Sequence, residues 1–306
     1  MRIIGERELK DALSMPDAID AIETAFRTWD PDEAAPLRSS LTTPAGSLYL
    51  MPAANPLGTG VKLVTLTGAN PERGLPFIHA AYVLFDPTTQ SVEALIDGGP
   101  LTALRTAAVS GLATRYLAEP EAHRLVVFGA GVQARSHLEA MRTVRPVTDL
   151  TVVSRSPSRA EALCEDARRA GLAASTGGPE AVAGADLVCT CTTSPTPVFD
   201  GMLLAAGAHV NAVGAYLPDA RELDAETVRR SAVVVETRAV AFEEAGDLLL
   251  AIEEGAITRE HVVADLAELV RGPGIRRDPS DITVFESVGM AFEDLVVARA
   301  AVQAVA

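Results

Sequence analysis

One stretch of the chain decides its fold: Leu125-Val126-Val127-Phe128-Gly129-Ala130-Gly131-Val132-Gln133-Ala134. The four apolar residues at its start predict a buried strand, and a helical pattern follows the alanine. Its glycine spacing is typical of a turn that binds a dinucleotide, because the first glycine permits the turn and the second admits a pyrophosphate. We therefore predict that this turn and the next helix N-terminus bind a pyrophosphate, through Gly129, Ala130, Gly131, Val132 and Gln133. Gln133 alternatively faces solvent.

Strands and helices alternate on both sides of this motif. Apolar runs predict strands at 124–128, 149–154, 187–190, 209–213 and 232–235, and helical patterns such as 133–144 and 159–170 fill the gaps. This alternation with short connections predicts an α/β fold, a Rossmann-type doubly wound parallel sheet with helices on both faces. We expect the dinucleotide-binding domain to span residues 118–287.

The first third of the chain has a different pattern of predicted elements, in which strands follow one another. Strand-like runs at 47–51, 61–67, 80–85 and 92–96 are separated by Gly, Pro and Asn signals, and a small-residue helix follows at 100–117. These elements predict a smaller α+β domain over residues 1–117. We expect a final helix, 288–306, to leave the parallel sheet and complete this domain.

Composition excludes several classes of function. The formal net charge of the 306 residues is -15, which disfavours nucleic acids and acidic membrane surfaces as partners. No apolar run reaches the roughly 18 residues of a membrane span, and the charged start does not resemble a signal peptide. Three cysteines are too few, and odd in number, for a disulfide framework. The absence of such a framework predicts a cytoplasmic protein. No His, Cys and carboxylate spacing predicts a metal site.

The end of the second strand indicates which dinucleotide is bound. An NAD-binding fold usually has an acidic residue there to accept hydrogen bonds from the ribose 2′-hydroxyl. This chain instead has Ser154-Arg155-Ser156-Pro157-Ser158-Arg159. Two hydroxyls and a guanidinium suit a 2′-phosphate, so we predict NADP(H), bound through Ser154, Arg155 and Ser156. The alternative is that the arginines only solvate a loop.

Three cations stand out in the first domain. Lys62 lies among apolar residues in Gly60-Val61-Lys62-Leu63-Val64, where a charge requires a partner or a function. Arg105 opens the small-residue helix, and Arg38 precedes a strand. One interpretation is that all three cations are structural and form salt bridges. A functional reading gives the arginines a carboxylate to bind and the lysine, with its pKa lowered by burial, a proton to exchange.

Five blocks in order resemble the ornithine cyclodeaminase and mu-crystallin family: 104–110, 129–134, 210–215, 246–249 and 283–289. The resemblance covers nearly the whole chain. It implies that Arg38, Lys62 and Arg105 hold the α-carboxylate and the nitrogen of a small imino or amino acid. It also implies a homodimer built through the N-terminal domains. The residues that the resemblance places around the nicotinamide are Thr106, Thr190, Thr192, Val213 and Ser287.

One departure from the family narrows the activity. Ornithine cyclodeaminases have an aspartate proton shuttle where this chain has Tyr216, and a phenol cannot readily replace a carboxylate base at neutral pH. We therefore predict an NADP(H)-dependent reductase of cyclic imino acids, or an amino-acid dehydrogenase acting on 2-oxo acids. The alternatives are a cyclodeaminase-type lyase and a non-catalytic protein that binds NADPH and a small acid. Asp219 either acts near the site or caps a helix, and Asp247 either contacts substrate or caps a helix.

Overall fold

The computed structural model describes residues 1–275 and 278–305, which form two compact units. The first unit comprises Met1–Arg105 and Met290–Ala306, and the second comprises Thr106–Gly289. The division falls inside one long helix. The roles that we assign to the predicted domains, substrate binding and dimerisation for one and cofactor binding for the other, stay predictions.

The regular elements have the following bounds. The strands are β1 (Arg2–Ile4), β2 (Ser39–Thr43), β3 (Gly46–Asn55), β4 (Gly58–Leu66), β5 (Ile78–Phe85), β6 (Val92–Asp97), β7 (Arg124–Phe128), β8 (Asp149–Val153), β9 (Ala173–Thr176), β10 (Leu187–Thr190), β11 (His209–Ala212), β12 (Ser231–Val235), β13 (Val262–Asp265) and β14 (Ile282–Glu286). The helices are α1 (Glu6–Ala12), α2 (Met15–Thr28), α3 (Pro31–Ala34), α4 (Gly98–Leu117), α5 (Val132–Val144), α6 (Pro157–Arg169), α7 (Ala225–Arg230), α8 (Arg238–Glu244), α9 (Gly246–Glu253), α10 (Leu266–Arg271) and α11 (Ala291–Ala304). Short 3-10 helices span Pro71–Arg73, Pro179–Gly184, Gly201–Leu203 and Arg259–His261.

The first unit is built on a six-stranded sheet in the order β1-β6-β5-β4-β3-β2. Its strands pair antiparallel except β1, which lies parallel to β6. The final helix α11 packs against α2, β3 and β4, and Phe26 meets Phe292 edge to face at 5.1 Å between ring centroids. Helix α11 is apolar around most of its circumference because α2 and the sheet both cover it.

The second unit contains an eight-stranded parallel sheet in the order β13-β12-β14-β11-β10-β7-β8-β9. The chain runs outward from β7 in one direction through β8 and β9, then returns to start the other half at β10. The strand order therefore reverses between β7 and β10, the position at which such sheets bind ligands. The predicted α/β Rossmann fold is confirmed. Strands β9, β13 and β14 are additional to the predicted ones.

The final helix begins later than predicted. Helix α11 starts at Ala291 rather than at residue 288. Gly289 has a φ of 78°, and the backbone N–H groups of Val288 and Gly289 donate to the Glu236 carboxylate instead of starting a helix. The residues after β14 therefore form a fixed turn. Among the described residues, no helix is both long and apolar enough to cross a membrane.

Candidate functional site

The glycine turn lies where the sequence predicts it, at the carboxyl end of β7. Gly129 has a φ of 105°, and a Cβ added to it would lie 2.5 Å from the Cys191 carbonyl oxygen. Its N–H donates to the Val153 carbonyl at 2.8 Å, so the turn is joined to β8 as well as to the residue after β10. Only glycine satisfies both the backbone angle and the close approach.

The N-terminus of α5 follows this turn. Gly131 is its N-cap residue, and because glycine has no side chain, none bonds the N–H groups of the first turn there. A Cβ added to Gly131 would meet no described atom within 4 Å. Backbone donors at a helix N-terminus beside open space suit an anionic oxygen.

Two of the predicted cofactor-binding residues carry buried polar atoms that need partners. Within the described chain, the Thr106 hydroxyl and the Gln133 carbonyl oxygen are buried and have no hydrogen-bond partner. Such orphaned atoms are uncommon in a folded protein unless a ligand or water completes them. Both belong to the second unit, as does the glycine turn. These residues therefore fit a bound dinucleotide.

The predicted 2′-phosphate segment lies at the end of β8, beside the glycine turn. Ser154 and Ser156 are half-buried, and the Ser156 N–H donates to Ser154 Oγ at 3.2 Å. Arg155 is exposed. The segment thus combines two partly sheltered hydroxyls with an exposed cationic side chain, and Pro157 then begins α6.

Glu222 joins two loops that carry predicted nicotinamide contacts. Its buried carboxylate accepts hydrogen bonds from the backbone N–H groups of Thr192 and Gly214, both at 2.7 Å. Burial raises the pKa of Glu222, while the hydrogen bonds that it accepts act against that increase. The Val213 N–H donates to the Thr190 carbonyl at 3.2 Å. The loops after β10 and β11 are therefore held together, and any contact of Val213 with a ligand uses a group other than its N–H.

Three more buried carboxylates lie close to this edge of the sheet. Glu236 accepts bonds from the Ser287 hydroxyl at 2.7 Å and from the turn that follows. Asp247 accepts from the backbone N–H groups of Glu222 and Leu223. Burial, together with the nearby Glu222 charge, raises the pKa of Asp247 to about 8. Burial, with Asp247 next in effect, raises the pKa of Glu286 well above its ordinary value.

Three cationic residues of the first unit, Arg38, Lys62 and Arg105, form a second group. Lys62, on β4, is 1% exposed, and its Nζ lies 2.9 Å from Asp294 Oδ1 and 2.8 Å from Oδ2. Arg105, on α4, donates through Nε to Asp294 Oδ1 at 3.1 Å and through Nη1 to Glu293 Oε2 at 2.9 Å. Arg38 precedes β2 and is half-buried.

The pKa of Lys62 is lowered to about 8. Burial is the largest cause, and the Arg105 and Arg38 charges lower it further, whereas Asp294 raises it. A lysine with this pKa exchanges protons near neutrality, as its apolar sequence context predicts. The structure therefore brings the three predicted cations into one electrostatic group.

The sequence interpretation missed the carboxylates. Glu293 and Asp294 are adjacent acids in helix α11, whose other residues are apolar except Arg299 and Gln303, and both acids are fully buried. Their sequence signal was present, because buried charges require partners and Lys62 needed one. Glu222 and Glu236 gave no comparable signal, because Glu222 lies in a polar loop sequence and Glu236 follows the end of a predicted strand, where a charged residue is ordinary.

Asp219 and Asp247, for which the sequence left a site role or a helix cap as alternatives, do not cap helices. No helix follows Pro218, and the next helix, α7, is capped by Asp224, so Asp219 is an exposed loop residue. Asp247 lies in the first turn of α9, where it bonds the backbone of residues 222–223 instead of capping its own helix. Tyr216 is half-buried.

The glycine turn at the switch point of a parallel sheet defines a dinucleotide-binding protein of the Rossmann class. Its sequence matches the profile described as "Ornithine cyclodeaminase/mu-crystallin family" over residues 3–305, and the chain belongs to this family. The predicted family is confirmed.

Named relatives support the same class. A Delta(1)-pyrroline-2-carboxylate reductase of Paracoccus denitrificans is 39% identical over 247 residues, 79% of this chain and 78% of that protein. The solved Thermococcus litoralis Delta(1)-pyrroline-2-carboxylate reductase, in complex with NADH and L-proline, has a TM-score of 0.94 and 35% identity, covering 99% of this chain and 97% of that one. An archaeal alanine dehydrogenase dimer with bound NAD has a TM-score of 0.93 and 31% identity, covering 99% and 95%. The predicted reductase class is confirmed.

Proposed function

We propose that this chain is an NADP(H)-dependent reductase of the C=N bond of a small cyclic imino acid, of the pyrroline-2-carboxylate type. The observation that carries the proposal is the buried Lys62 ammonium beside two arginines. Its pKa of about 8 suits a general acid that gives its proton to the nitrogen of the substrate. The Paracoccus denitrificans and Thermococcus litoralis relatives, both named Delta(1)-pyrroline-2-carboxylate reductase, point to the same substrate class.

The substrate would be held by side chains of the first unit. Arg38 and Arg105 would bind its carboxylate, because a guanidinium pairs with two oxygens at once. Lys62 would donate a proton to the imine nitrogen as the C=N bond becomes a single bond. When bound, the nicotinamide supplies the hydride that reduces the carbon.

The cofactor would be held by residues of the second unit. The N–H groups at the start of α5, beside Gly129, Ala130, Gly131, Val132 and Gln133, would bind the pyrophosphate. Ser154, Arg155 and Ser156 would bind a 2′-phosphate. The nicotinamide would lie among Thr106 on α4, Thr190 at the end of β10, and three residues on the loops after the strands, Thr192, Val213 and Ser287.

We also propose that the protein is a cytoplasmic homodimer. One face of the first sheet carries Leu41, Leu50 and Leu63, which are 58%, 37% and 38% exposed. Leu50 and Leu63 are direct cross-strand partners, so their side chains form one apolar surface on the face opposite Lys62. A contiguous apolar surface of this kind suits burial against a second copy, and the archaeal alanine dehydrogenase is a dimer.

The proposed activity is tested by NADPH oxidation with a panel of substrates. We expect turnover with pyrroline-2-carboxylate and related cyclic imino acids, followed by slower turnover with 2-oxo acids plus ammonia or methylamine. The absorbance of NADPH measures the rate. Absence of turnover with every member of the panel would refute the proposal.

The choice of NADP(H) is tested by Arg155→Ala. A charge-assisted hydrogen bond contributes about 1.5–3 kcal/mol, so we expect the KM for NADPH to rise about 10- to 100-fold. The KM for NADH should change less than about threefold, because NADH has no 2′-phosphate for Arg155 to bind. Equal catalytic efficiency of the unaltered enzyme with the two cofactors would contradict the assignment.

A further inference from the structure

Asp294 lies between Lys62 and Arg105, two of the three cations that we assign to the substrate. Its Oδ1 accepts from Lys62 Nζ at 2.9 Å and from Arg105 Nε at 3.1 Å, while Oδ2 lies 2.8 Å from Nζ. All three side chains are at least nine-tenths buried. Among the described residues, Asp294 is the carboxylate that bonds Lys62. One carboxylate therefore fixes the positions of both cations relative to each other.

The charges around Lys62 oppose one another. Arg105 on α4 and Arg38 before β2 disfavour the ammonium form, and Asp294 on α11 favours it. Tyr82 is the cross-strand partner of Lys62 on β5, and its phenol stays neutral because burial and the Asp294 charge raise its pKa. Arg299, which also faces this phenol, is bonded to Glu93 at 2.7 Å. Asp294 is thus the group in this cluster that opposes the effects of burial and of the arginines.

We propose that Asp294 is a positioning residue for the reduction, which holds the Lys62 ammonium toward Arg105 and keeps Lys62 protonated at neutral pH. This inference rests on the proposed function, because it gives Lys62 the role of proton donor. In the reaction, an N–H bond of the ammonium breaks and an N–H bond of the product amine forms. The neutral Lys62 then regains a proton from water, and the adjacent carboxylate favours that recovery.

The chain offers a direct way to observe this lysine. The sequence contains two lysines, Lys10 and Lys62, so protein labelled with ¹³C at the lysine ε carbon should give two signals. Lys10 lies on α1, is exposed, and supplies the reference signal. The Lys62→Met variant assigns the other signal. The titration of Lys62 can therefore be followed by NMR without turnover.

Asp294→Asn removes one negative charge and preserves shape. We expect the Lys62 titration midpoint to fall by at least about one pH unit, because an opposite charge in contact with an ammonium raises its pKa by about that much or more. Glu293→Gln is the matched control, since it removes the neighbouring charge, which bonds Arg105. We expect it to move the Lys62 midpoint by less than half as much. Equal midpoints in the unaltered protein and in Asp294→Asn would overturn the proposal.

The pH dependence of kcat for imine reduction is a second test of the role of Asp294. Protonated Lys62 is the active form, so the rate should fall as the pH rises through about 8. In Asp294→Asn this fall should begin at lower pH. Asp294→Glu keeps the charge but displaces it by one methylene, so it should retain the pH profile and lower kcat at least about fivefold, because positioning is lost. An unchanged kcat in Asp294→Glu would contradict a positioning role.

The two proposals can fail separately. If the unaltered protein reduces no imino acid, the proposed function fails, and the NMR titrations still decide whether Asp294 controls Lys62. NADPH binding and the Tm of each variant identify loss of folding. If Asp294→Asn does not fold, Asp294→Glu is the variant that tests the proposal, and an unchanged kcat together with an unchanged Lys62 midpoint in that variant would refute it.

Discussion

Lys62→Met is expected to lose about 10²- to 10⁴-fold in kcat for imine reduction while binding NADPH normally, because positioned proton transfer contributes about that much. Methionine fills a volume similar to the lysine stem but carries no proton to donate. Asp294 keeps its bond from Arg105, so the substitution leaves no buried carboxylate without a partner at this position. Stopped-flow reduction assays and fluorescence titration with NADPH measure the two quantities.

Lys10→Met is the matched control for this variant. Lys10 is exposed on α1, where it bonds Glu6 at 2.7 Å. Loss of such a pair costs about 0.3–0.5 kcal/mol of stability and should leave kcat unchanged. A Lys62→Met enzyme with kcat within about threefold of the unaltered protein would make Lys62 a structural cation.

Gly131→Ala should weaken NADPH binding by at least about tenfold, which corresponds to about 1.4 kcal/mol. The added methyl group meets no described atom within 4 Å, so the folded chain accommodates it. It would occupy the space in which a pyrophosphate approaches the backbone. Isothermal calorimetry with NADPH measures the loss, and the Tm should change little. Gly129→Ala is unsuitable as a test because its Cβ collides with the Cys191 carbonyl.

Gly184→Ala provides the control for the added methyl group. A Cβ added to Gly184 also meets open space, but this residue ends a 3-10 helix outside the glycine turn. We expect this variant to bind NADPH as the unaltered protein does. Comparable affinity in Gly131→Ala and in the unaltered protein would place the pyrophosphate elsewhere.

The Rossmann unit could be predicted because its evidence is local. Four apolar residues, a glycine turn and a helix follow one another between Leu125 and Val144, so each step constrains the next. Lys62 could be singled out for the same reason, since a charge in an apolar strand is visible without knowledge of the fold. Both predictions use short-range physics.

The partners of these residues could not be predicted. Asp294 lies 232 residues after Lys62, and no spacing rule connects positions so far apart. The start of α11 was predicted three residues too early, because the bonds that keep Ser287 to Gly289 out of the helix come from the distant Glu236. Long-range hydrogen bonds to buried carboxylates determine the partner of Lys62 and the start of α11, and the local sequence pattern does not contain this information.

The protonated Asp247 carboxyl also affects how the fold responds to acid. With a folded pKa of about 8 against 3.8 for an ordinary aspartate, it retains a proton at neutral pH that the unfolded chain would release. Between about pH 4 and pH 8 the folded state therefore binds more protons at this group, so its contribution to the free energy of unfolding decreases as the pH rises. Mild acidity, which weakens most proteins by neutralising their ion pairs, favours the folded form at this position.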